Sequence, residues 1–320
     1  MKPVRLGLIG VGRWGRVYIR TLLALQDRCR LTHIATSRPA NAALVPHPVT
    51  VVGEWRELVA ADCDAVIIAT PPHTHAEILE ACLSAGKPCI VEKPLCLDLP
   101  TAERLHRRVR HSKIPVLVDH THLFSSAYLA LKQGLRERRE PVRLMFSEGM
   151  DLGPLRPDVS ALWDWAPHDL SLCLDLMDAV PQRVRALGGP RASGGAPERV
   201  SMRLEFAGGA VAWIQAGRLS PWKRRNLSVF TDTQLYYWDD LSGETPTVSS
   251  FRLSGGADPM AEPLERAPLS VASRRLSMER MVSYFLDGIS GGERRYFGTE
   301  LALHITRLLA ACDAAIQEDS

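Results

Sequence analysis

Short, mostly apolar segments alternate with longer segments of helical periodicity through the first 120 residues. The longer segments place apolar side chains three or four positions apart, as one face of a helix does. The apolar segments cover residues 4–9, 31–36, 49–52, 65–69, 88–91 and 116–119. Apolar strands joined by helices are typical of a parallel sheet that helices cover on both faces. The pattern predicts an α/β domain with a doubly wound parallel sheet over residues 1–122.

A two-residue alternation of apolar and polar side chains replaces this rhythm in the second half of the chain. It is clearest at residues 199–206, and Gly208-Gly209 then precedes another apolar segment at 210–215, which indicates a β-hairpin. Two closing helices are predicted, over residues 272–286 and 299–317. We therefore expect an α+β domain with a mostly antiparallel sheet over residues 123–320, which binds the substrate and mediates oligomerisation.

The composition is that of a globular protein with more than one core. Of 320 residues, 46% are hydrophobic and 23% are charged, and a domain size of about 150 residues predicts two domains. No apolar run approaches the ~18 residues that a bilayer crossing requires, so we expect no membrane partner. The 39 basic and 36 acidic residues give a formal charge of +3 without a basic tail, and nucleic acid is not an expected partner.

The seven cysteines are scattered through the chain and form no CxxC pair. Reduced thiols in the core explain them better than a disulfide framework or a zinc site does. The first residues include glycines and are not followed by the small-residue cleavage site of a secretory signal. We therefore expect a cytoplasmic protein that binds no metal.

A glycine-rich sequence follows the first predicted strand and opens the first predicted helix: Gly10-Val11-Gly12-Arg13-Trp14-Gly15. In this G-x-G-x-x-G pattern, Gly10 permits a tight turn, Gly12 lets a pyrophosphate approach the backbone, and Gly15 allows the helix to pack closely on the strand. The amino terminus of the helix attracts the phosphates. The motif, with Arg13 and Trp14, predicts the dinucleotide site of a Rossmann domain. The alternative is a glycine-rich turn without a ligand.

The second predicted strand ends in Ala35-Thr36-Ser37-Arg38 and carries no acidic residue. In an NAD site, an Asp or Glu near this point would hold the ribose 2′-hydroxyl. Without that carboxylate a 2′-phosphate is not repelled, and the Ser37 hydroxyl and the Arg38 guanidinium are suited to bind it. We predict a preference for NADP(H), with NAD(H) as the other candidate. Alternatively, Arg38 is a solvated loop residue.

Four further motifs carry candidate chemistry. They are Val91-Glu92-Lys93-Pro94, Thr70-Pro71-Pro72-His73-Thr74-His75, Ala85-Gly86-Lys87-Pro88 and Asp164-Trp165-Ala166-Pro167-His168. The first follows the fifth predicted strand, at the carboxyl edge where open α/β sheets bind ligands. With these motifs and the glycine pattern, the chain resembles the Gfo/Idh/MocA oxidoreductase family over nearly its whole length.

The resemblance implies that Lys93 lies beside the nicotinamide and the substrate, and that Asp164 and His168 complete the catalytic site. Residues four positions apart on a helix share a face, so Asp164 and His168 can point into one cleft. We expect His168 to be the general acid and base because an imidazole titrates near neutral pH. Lys93 would polarise the substrate oxygen, and Asp164 would hold the imidazole and a substrate hydroxyl. Further cofactor contacts are expected at four positions: Thr70, Pro71, His75 and Glu92.

Structural roles are the alternative for each of these residues taken singly, and the first turn of a helix accounts equally well for His75. The segment around Lys223 and Arg225 resembles family members that act on nucleotide sugars. These two residues would then bind a diphosphate; the alternative is a position on an outer sheet face or at a subunit contact. The segment before Asp164 departs from the glycine-rich sequence of many relatives and reads Pro157-Asp158-Val159-Ser160-Ala161-Leu162-Trp163. Trp163 and Trp165 are candidates to face a sugar ring, although core packing is the commoner use of tryptophan.

The sequence thus predicts an NAD(P)-dependent oxidoreductase that interconverts a secondary alcohol and a ketone, on a sugar, a cyclitol or a sugar nucleotide. Two other functions remain open: a dinucleotide-binding sensor without catalysis, and a reductase of a C=C or C=N bond in a substrate other than a sugar. We expect a small-molecule substrate and a homo-oligomer.

Overall fold

The computed structural model describes residues 2–38, 48–153, 155–156, 158–191, 195–241, 247–252, 266–269, 271 and 276–318. The chain divides into two compact units. The first comprises Met1–Thr121 and Leu276–Thr306, and the second comprises His122–Arg275 and Arg307–Ser320. The sequence pattern assigns residues 276–306 to the second domain, whereas the structure groups them with the first unit. There, Asp287 accepts a hydrogen bond from Arg28 at 2.5 Å. Such a long-range contact leaves no trace in local periodicity.

The first unit is built on a six-stranded sheet in which every described pair of neighbouring strands is parallel. Its strands are β1 (Val4–Ile9), β2 (Cys29–Ala35), β3 (Thr50–Val52), β4 (Ala65–Ile68), β5 (Cys89–Val91) and β6 (Val116–Val118). The spatial order is β3-β2-β1-β4-β5-β6, so the direction of winding reverses between β1 and β4. Ligands of open α/β sheets bind at such a switch point, beyond the carboxyl ends of the strands.

Helices join the strands of this sheet. They are α1 (Arg13–Ala24), α2 (Trp55–Ala60), α3 (Pro72–Ser84) and α4 (Leu99–Ser112). All residues of β4, β5 and β6 are buried, as expected for strands covered on both faces. At the start of α4, the Asp98 carboxylate accepts a hydrogen bond from the Thr101 amide at 2.8 Å, a cap that contributes about 1 kcal/mol. The predicted doubly wound parallel sheet is confirmed.

The second unit contains an eight-stranded sheet in the order β14-β13-β12-β11-β7-β10-β9-β8. Its strands are β7 (Leu144–Met150), β8 (Arg183–Gly188), β9 (Arg199–Glu205), β10 (Val211–Gly217), β11 (Arg224–Phe230), β12 (Gln234–Asp239), β13 (Thr247–Arg252) and β14 (Arg266–Pro268). Among the described strands, β7 and β10 pair in parallel and the other neighbours are antiparallel. The predicted, mostly antiparallel sheet is confirmed. The predicted hairpin is present too, because Gly208 and Gly209, with φ of +80° and +84°, lie between β9 and β10.

Helix α5 (Ser126–Arg138) precedes this sheet, and α6 (Ala161–Met177) packs on β7, β9 and β10. The last helices are α7 (Ser277–Ile289) and α8 (Glu300–Glu318). The predicted start of the first closing helix, at Ala272, lies outside the described residues. Over the described ranges, no helix has the length and apolar character that a bilayer crossing demands.

Candidate functional site

The glycine turn joins β1 to α1 and is shaped by close backbone contacts. Gly10 has a φ of +97°, and a Cβ atom there would lie 2.5 Å from the carbonyl oxygen of Ala69. A Cβ atom on Gly15 would lie 2.0 Å from the carbonyl oxygen of Gly10. By contrast, a Cβ atom on Gly12 would meet no atom within 4 Å. Gly12 is the N-cap of α1, whose first turn carries no side-chain cap and no acidic residue. The turn therefore offers open space and helix-terminal amides to an anionic group.

Ser37 and Arg38 lie at the carboxyl end of β2, on the same sheet edge as the glycine turn. The Gly10 amide donates to the carbonyl oxygen of Ala35 at 2.9 Å, which ties the two strand ends together. Both side chains are exposed, and the Arg38 amide donates to Thr36 Oγ1 at 3.3 Å. No acidic residue occurs in the sequence from 28 to 53, so the end of β2 has a guanidinium and no acidic neighbour in that stretch of sequence.

Thr70 and Pro71 follow β4, the strand next to β1, and lead into α3. His75 lies in the first turn of that helix and is fully buried. Its Nδ1 is 2.9 Å from the carbonyl oxygen of Pro94, and its Nε2 is 2.9 Å from that of Thr70. Burial lowers the pKa of His75, so the ring is neutral near pH 7. The neutral imidazole has one N–H and so donates to one of these two carbonyls, and it lies between the segments that follow β4 and β5.

Glu92 and Lys93 follow β5 and are buried at the same carboxyl edge. The Glu92 carboxyl is in hydrogen-bonding contact with Asp119, which follows β6. Asp119 also accepts a hydrogen bond from Tyr18 Oη at 2.6 Å and one from the Thr121 hydroxyl. Asp119 and Tyr18 are absent from the sequence-derived site. A carboxylate directly after a buried apolar strand was the signal that could have identified Asp119.

In the second unit, Asp164 lies in the first turn of α6, between two guanidinium groups. Its Oδ2 accepts a hydrogen bond from Arg218 Nη2 at 3.1 Å, and its Oδ1 accepts one from Arg156 Nη1 at 3.3 Å. Arg218 is 1% exposed and also donates from Nη1 to Glu198 Oε2 at 2.9 Å. Arg218 and Glu198 were missed by sequence reasoning because they lie far from Asp164 along the chain. The carboxylate of Asp164 is therefore anchored at the start of α6.

His168 lies one helical turn after Asp164 and is buried. Its ring meets that of His122 edge to face, with the centroids 4.7 Å apart and the planes at 82°. The His122 ring in turn lies 6.1 Å from the ring of Trp238 on β12. The second unit thus brings two imidazoles together beside a buried tryptophan. His122 was not among the residues predicted from sequence to act in the site.

Other predicted substrate contacts have structural partners. Arg225 is buried, and its Nη1 donates to Asp169 Oδ2 at 3.1 Å, whereas Lys223 is exposed. Trp163 is also buried, and its Nε1 donates to Asp313 Oδ2 at 2.6 Å, which makes it a packing residue. Trp165 is half-buried, and Pro157 lies outside the described residues. In the part of the chain that the structure describes, no cluster of His, Cys, Asp or Glu could hold a metal ion.

Two family models match separate parts of the chain, one in each half. Residues 4–120 match the family model described as oxidoreductase family, NAD-binding Rossmann fold, and residues 154–235 match the GFO/IDH/MocA C-terminal domain. One solved structure is that of a protein from Magnetospirillum magnetotacticum MS-1, which is described as a candidate oxidoreductase. Its sequence is 36% identical to this chain, the TM-score is 0.85, and the match covers 97% of this chain and 100% of that protein.

Two named relatives are dehydrogenases. UDP-N-acetylglucosamine 3-dehydrogenase of Acidithiobacillus ferrooxidans is 26% identical over 330 residues, which cover 95% of this chain and 97% of the relative. A crystal structure of that enzyme has a TM-score of 0.85 at 22% identity, covering 99% of each chain, and shows the shared fold. Inositol 2-dehydrogenase of Rhizobium meliloti strain 1021 is 29% identical over 230 residues, covering 67% of this chain and 69% of the relative.

Proposed function

The chain belongs to the Gfo/Idh/MocA family of NAD(P)-dependent oxidoreductases, and from that premise we propose that it interconverts a secondary alcohol and a ketone on a sugar, a cyclitol or a sugar nucleotide. One observation carries the proposal: the carboxyl edge of the first sheet holds both the open glycine turn and the buried Lys93. The named relatives support the substrate class, since N-acetylglucosamine and inositol both carry secondary alcohols on six-membered rings.

The residues of the first unit fit a nicotinamide dinucleotide. The open space at Gly12 and the amino terminus of α1 suit a pyrophosphate. The first turn of α1 carries no acidic residue that would repel it. The ends of β4 and β5, with Thr70, Pro71, Glu92 and Lys93, would hold the nicotinamide half. When bound, the nicotinamide supplies the hydride chemistry.

His168 would take the hydroxyl proton of the substrate as hydride leaves the carbon, and return it in the reverse direction. Histidine is the usual residue for this task because the ordinary pKa of an imidazole lies near neutral pH. Lys93 would polarise the substrate oxygen. Asp164, whose carboxylate is fixed by Arg218 and Arg156, would set the start of α6 and thereby the position of His168.

We propose a preference for NADP(H) from Ser37 and Arg38 at the end of β2, since the sequence from 28 to 53 has no acidic residue to hold a ribose 2′-hydroxyl. A charge-assisted hydrogen bond contributes about 1.5–3 kcal/mol. Arg38→Ala is therefore expected to lower the ratio of NADP⁺ to NAD⁺ affinity by roughly 10- to 100-fold. Titration of both nucleotides against wild type and variant measures this ratio, and an unchanged ratio would show that Arg38 does not bind the phosphate.

A substrate panel tests the proposed reaction directly. The purified protein is incubated with NADP⁺ or NAD⁺ and with myo-inositol, free hexoses or UDP-N-acetylglucosamine, each deuterated at the carbinol carbon that would be oxidised. We expect deuterium to appear on the reduced nicotinamide with at least one of them. Tight nucleotide binding without deuterium transfer from any member of the panel would favour a sensor or a reductase of another bond type.

Two further properties complete the proposal. Phe146 on β7 and Trp213 on β10 lie opposite each other in the second sheet and are 38% and 40% exposed. This apolar face would be covered in a homo-oligomer. Light scattering of wild type and Trp213→Arg would reveal the assembly and its loss.

The seven free cysteines, all buried, suit a reducing cytoplasm.

A further inference from the structure

Helix α6 contains a proline directly before the proposed acid and base, His168. Pro167 has no amide hydrogen to donate to the carbonyl oxygen of Trp163, and its ring crowds that oxygen. A proline inside a helix therefore kinks or weakens the helix at this point. The segment that carries His168 depends on contacts outside the helix to keep one orientation.

Two buried arginines hold this segment, one on each side of the proline. Arg218 pairs with Asp164 before the proline, at 3.1 Å. After the proline, Asp169 is fully buried, and its Oδ2 accepts a hydrogen bond from Arg225 Nη1 at 3.1 Å. The residue that follows His168 is thus bound to the sheet through an ion pair.

The sheet leaves a space through which Arg225 reaches Asp169. Arg225 on β11 lies opposite Gly149 on β7 in the antiparallel register. A Cβ atom on Gly149 would lie 2.4 Å from Asp169 Oδ2 and 2.7 Å from Arg225 Nη1, so the ion pair requires a glycine there. Ser147, two residues earlier on the same strand, is also fully buried, and its hydroxyl donates to Asp169 Oδ1. Both carboxyl oxygens of Asp169 therefore have partners on the sheet.

Direction is what the ion pair adds to this contact. Burial raises the pKa of Asp169, whereas the charge of Arg225 and the Ser147 hydroxyl favour the ionised form. Apolar side chains of similar volume would often stabilise such an interface equally well, but they lack the direction of a hydrogen bond. Without Arg225, the buried carboxyl would have to move toward another partner or toward water, and the backbone of α6 would move with it.

We propose that Arg225 and Asp169 form a positioning pair that fixes the orientation of the His168 ring. That ring meets His122 edge to face, and the pair holds it there although the proline weakens the helix. Gly149 belongs to the arrangement because it leaves the space in which the pair forms. Arg225 thus acts through the helix and does not bind a substrate phosphate. The proposal rests on the proposed function only for the use of His168 in catalysis.

Nuclear magnetic resonance of the histidine side chains tests the orientation without substrate. Arg225→Met removes the cation, and Gly149→Ala inserts the Cβ that the pair excludes while both charged residues are kept. Lys132→Met is the matched control, since it breaks another buried ion pair of α6, that of Lys132 with Asp175. Each protein is labelled with carbon-13 at histidine Cε1, and the His168 signal is identified by its loss in His168→Ala.

We expect the His168 signal to be displaced in Arg225→Met and Gly149→Ala and to keep its wild-type position in Lys132→Met. Ser147→Ala removes one hydroxyl and no charge, and it should displace the signal too, so the test remains decisive if a larger change prevents folding. An unmoved signal in whichever of these three pair variants folds, or an equal displacement in Lys132→Met, would overturn the proposal.

Hydride transfer in a single turnover, with the substrate that the panel identifies, provides the second measurement. Arg225→Met should transfer hydride about 10- to 100-fold more slowly at saturating substrate, the scale for misplacing a catalytic group by ~1 Å. NADPH affinity should be nearly that of wild type, and Lys132→Met should keep the wild-type rate. A weaker substrate affinity with an unchanged rate at saturation would assign Arg225 to substrate binding and overturn the proposal.

Failure of the proposed function looks different. No member of the substrate panel would then transfer hydride to the nucleotide in wild type, while the displacement of the His168 signal in Arg225→Met would still hold. An active wild type with equal rates in Arg225→Met and Lys132→Met would leave the proposed function intact and refute the positioning pair.

Discussion

Arg218 offers the sharpest stability prediction for the second unit. Its guanidinium is 1% exposed and pairs with two carboxylates, Glu198 at 2.9 Å and Asp164 at 3.1 Å. Arg218→Met keeps most of the side-chain volume but leaves both carboxylates without this partner. Removing one member of a buried ion pair costs about 3–5 kcal/mol, because the remaining charge stays desolvated. We expect a loss of that size in the free energy of unfolding.

Urea unfolding followed by tryptophan fluorescence measures the loss. Five of the seven tryptophans belong to the second unit, so the signal reports mainly on the unit that contains Arg218. Arg143→Met is the matched control, since Arg143 pairs with Asp232 on the surface, with side chains 49% and 54% exposed. An exposed pair contributes only about 0–1 kcal/mol.

Adding Glu198→Gln to Arg218→Met should recover about 1–3 kcal/mol, because a neutral amide replaces one of the stranded charges. A loss in Arg218→Met no larger than that in the Arg143→Met control would rule out the stranded charges as its cause. A larger loss after the addition of Glu198→Gln would rule them out as well.

Two further predictions concern pH and the glycine turn. Burial raises the pKa of Asp240 to about 6 from its ordinary 3.8, so ionising this carboxyl costs stability as pH rises from about 4 to 6 and the cost is complete above 6. In urea titrations, Asp240→Asn should therefore have the stability of wild type at pH 3.5 and be more stable than wild type at pH 8, by up to about 3 kcal/mol. Equal stability of the two proteins at pH 8 would show that burial does not raise the pKa of Asp240. Gly15→Ala forces a Cβ to 2.0 Å from a carbonyl oxygen and should cost about 1–3 kcal/mol in the protein without nucleotide. In Gly12→Ala the new Cβ meets no atom within 4 Å, so the free energy of unfolding should change by no more than about 0.5 kcal/mol while NADPH binding weakens. Equal effects of Gly15→Ala and Gly12→Ala on unfolding would contradict the assigned geometry.

The first sheet was predictable from sequence because its determinants are local. Each apolar run forms a strand of this sheet, although the edge strand β3 is largely exposed, and the glycine pattern falls between β1 and α1 as the spacing requires. Residues that act through long-range contacts were not predictable in this way. Tyr18 meets Asp119 across 101 positions and Arg218 meets Asp164 across 54, and no periodicity records such pairs.

Arg225 shows how a local signal was overlooked. Beside Lys223 in the sequence it suggests a basic surface, yet on β11 it occupies the same face as Leu227 and Val229, which are buried. Two-residue alternation therefore predicts an inward side chain, and Asp169 supplies the charge that burial requires. The two-residue alternation of the strand thus predicts the burial of Arg225 better than the neighbouring basic residues do.

Lys93 and His168 are proposed to carry the proton chemistry of nicotinamide-dependent oxidation. Single-turnover hydride transfer, measured with the substrate that the panel identifies, is compared between wild type, Lys93→Met, His168→Ala and the exposed control His111→Ala. We expect both site variants to bind NADPH with nearly wild-type affinity and to transfer hydride about 10²-fold or more slowly, while the control is unaffected. Hydride transfer at the wild-type rate in both site variants would show that neither side chain takes part in the reaction.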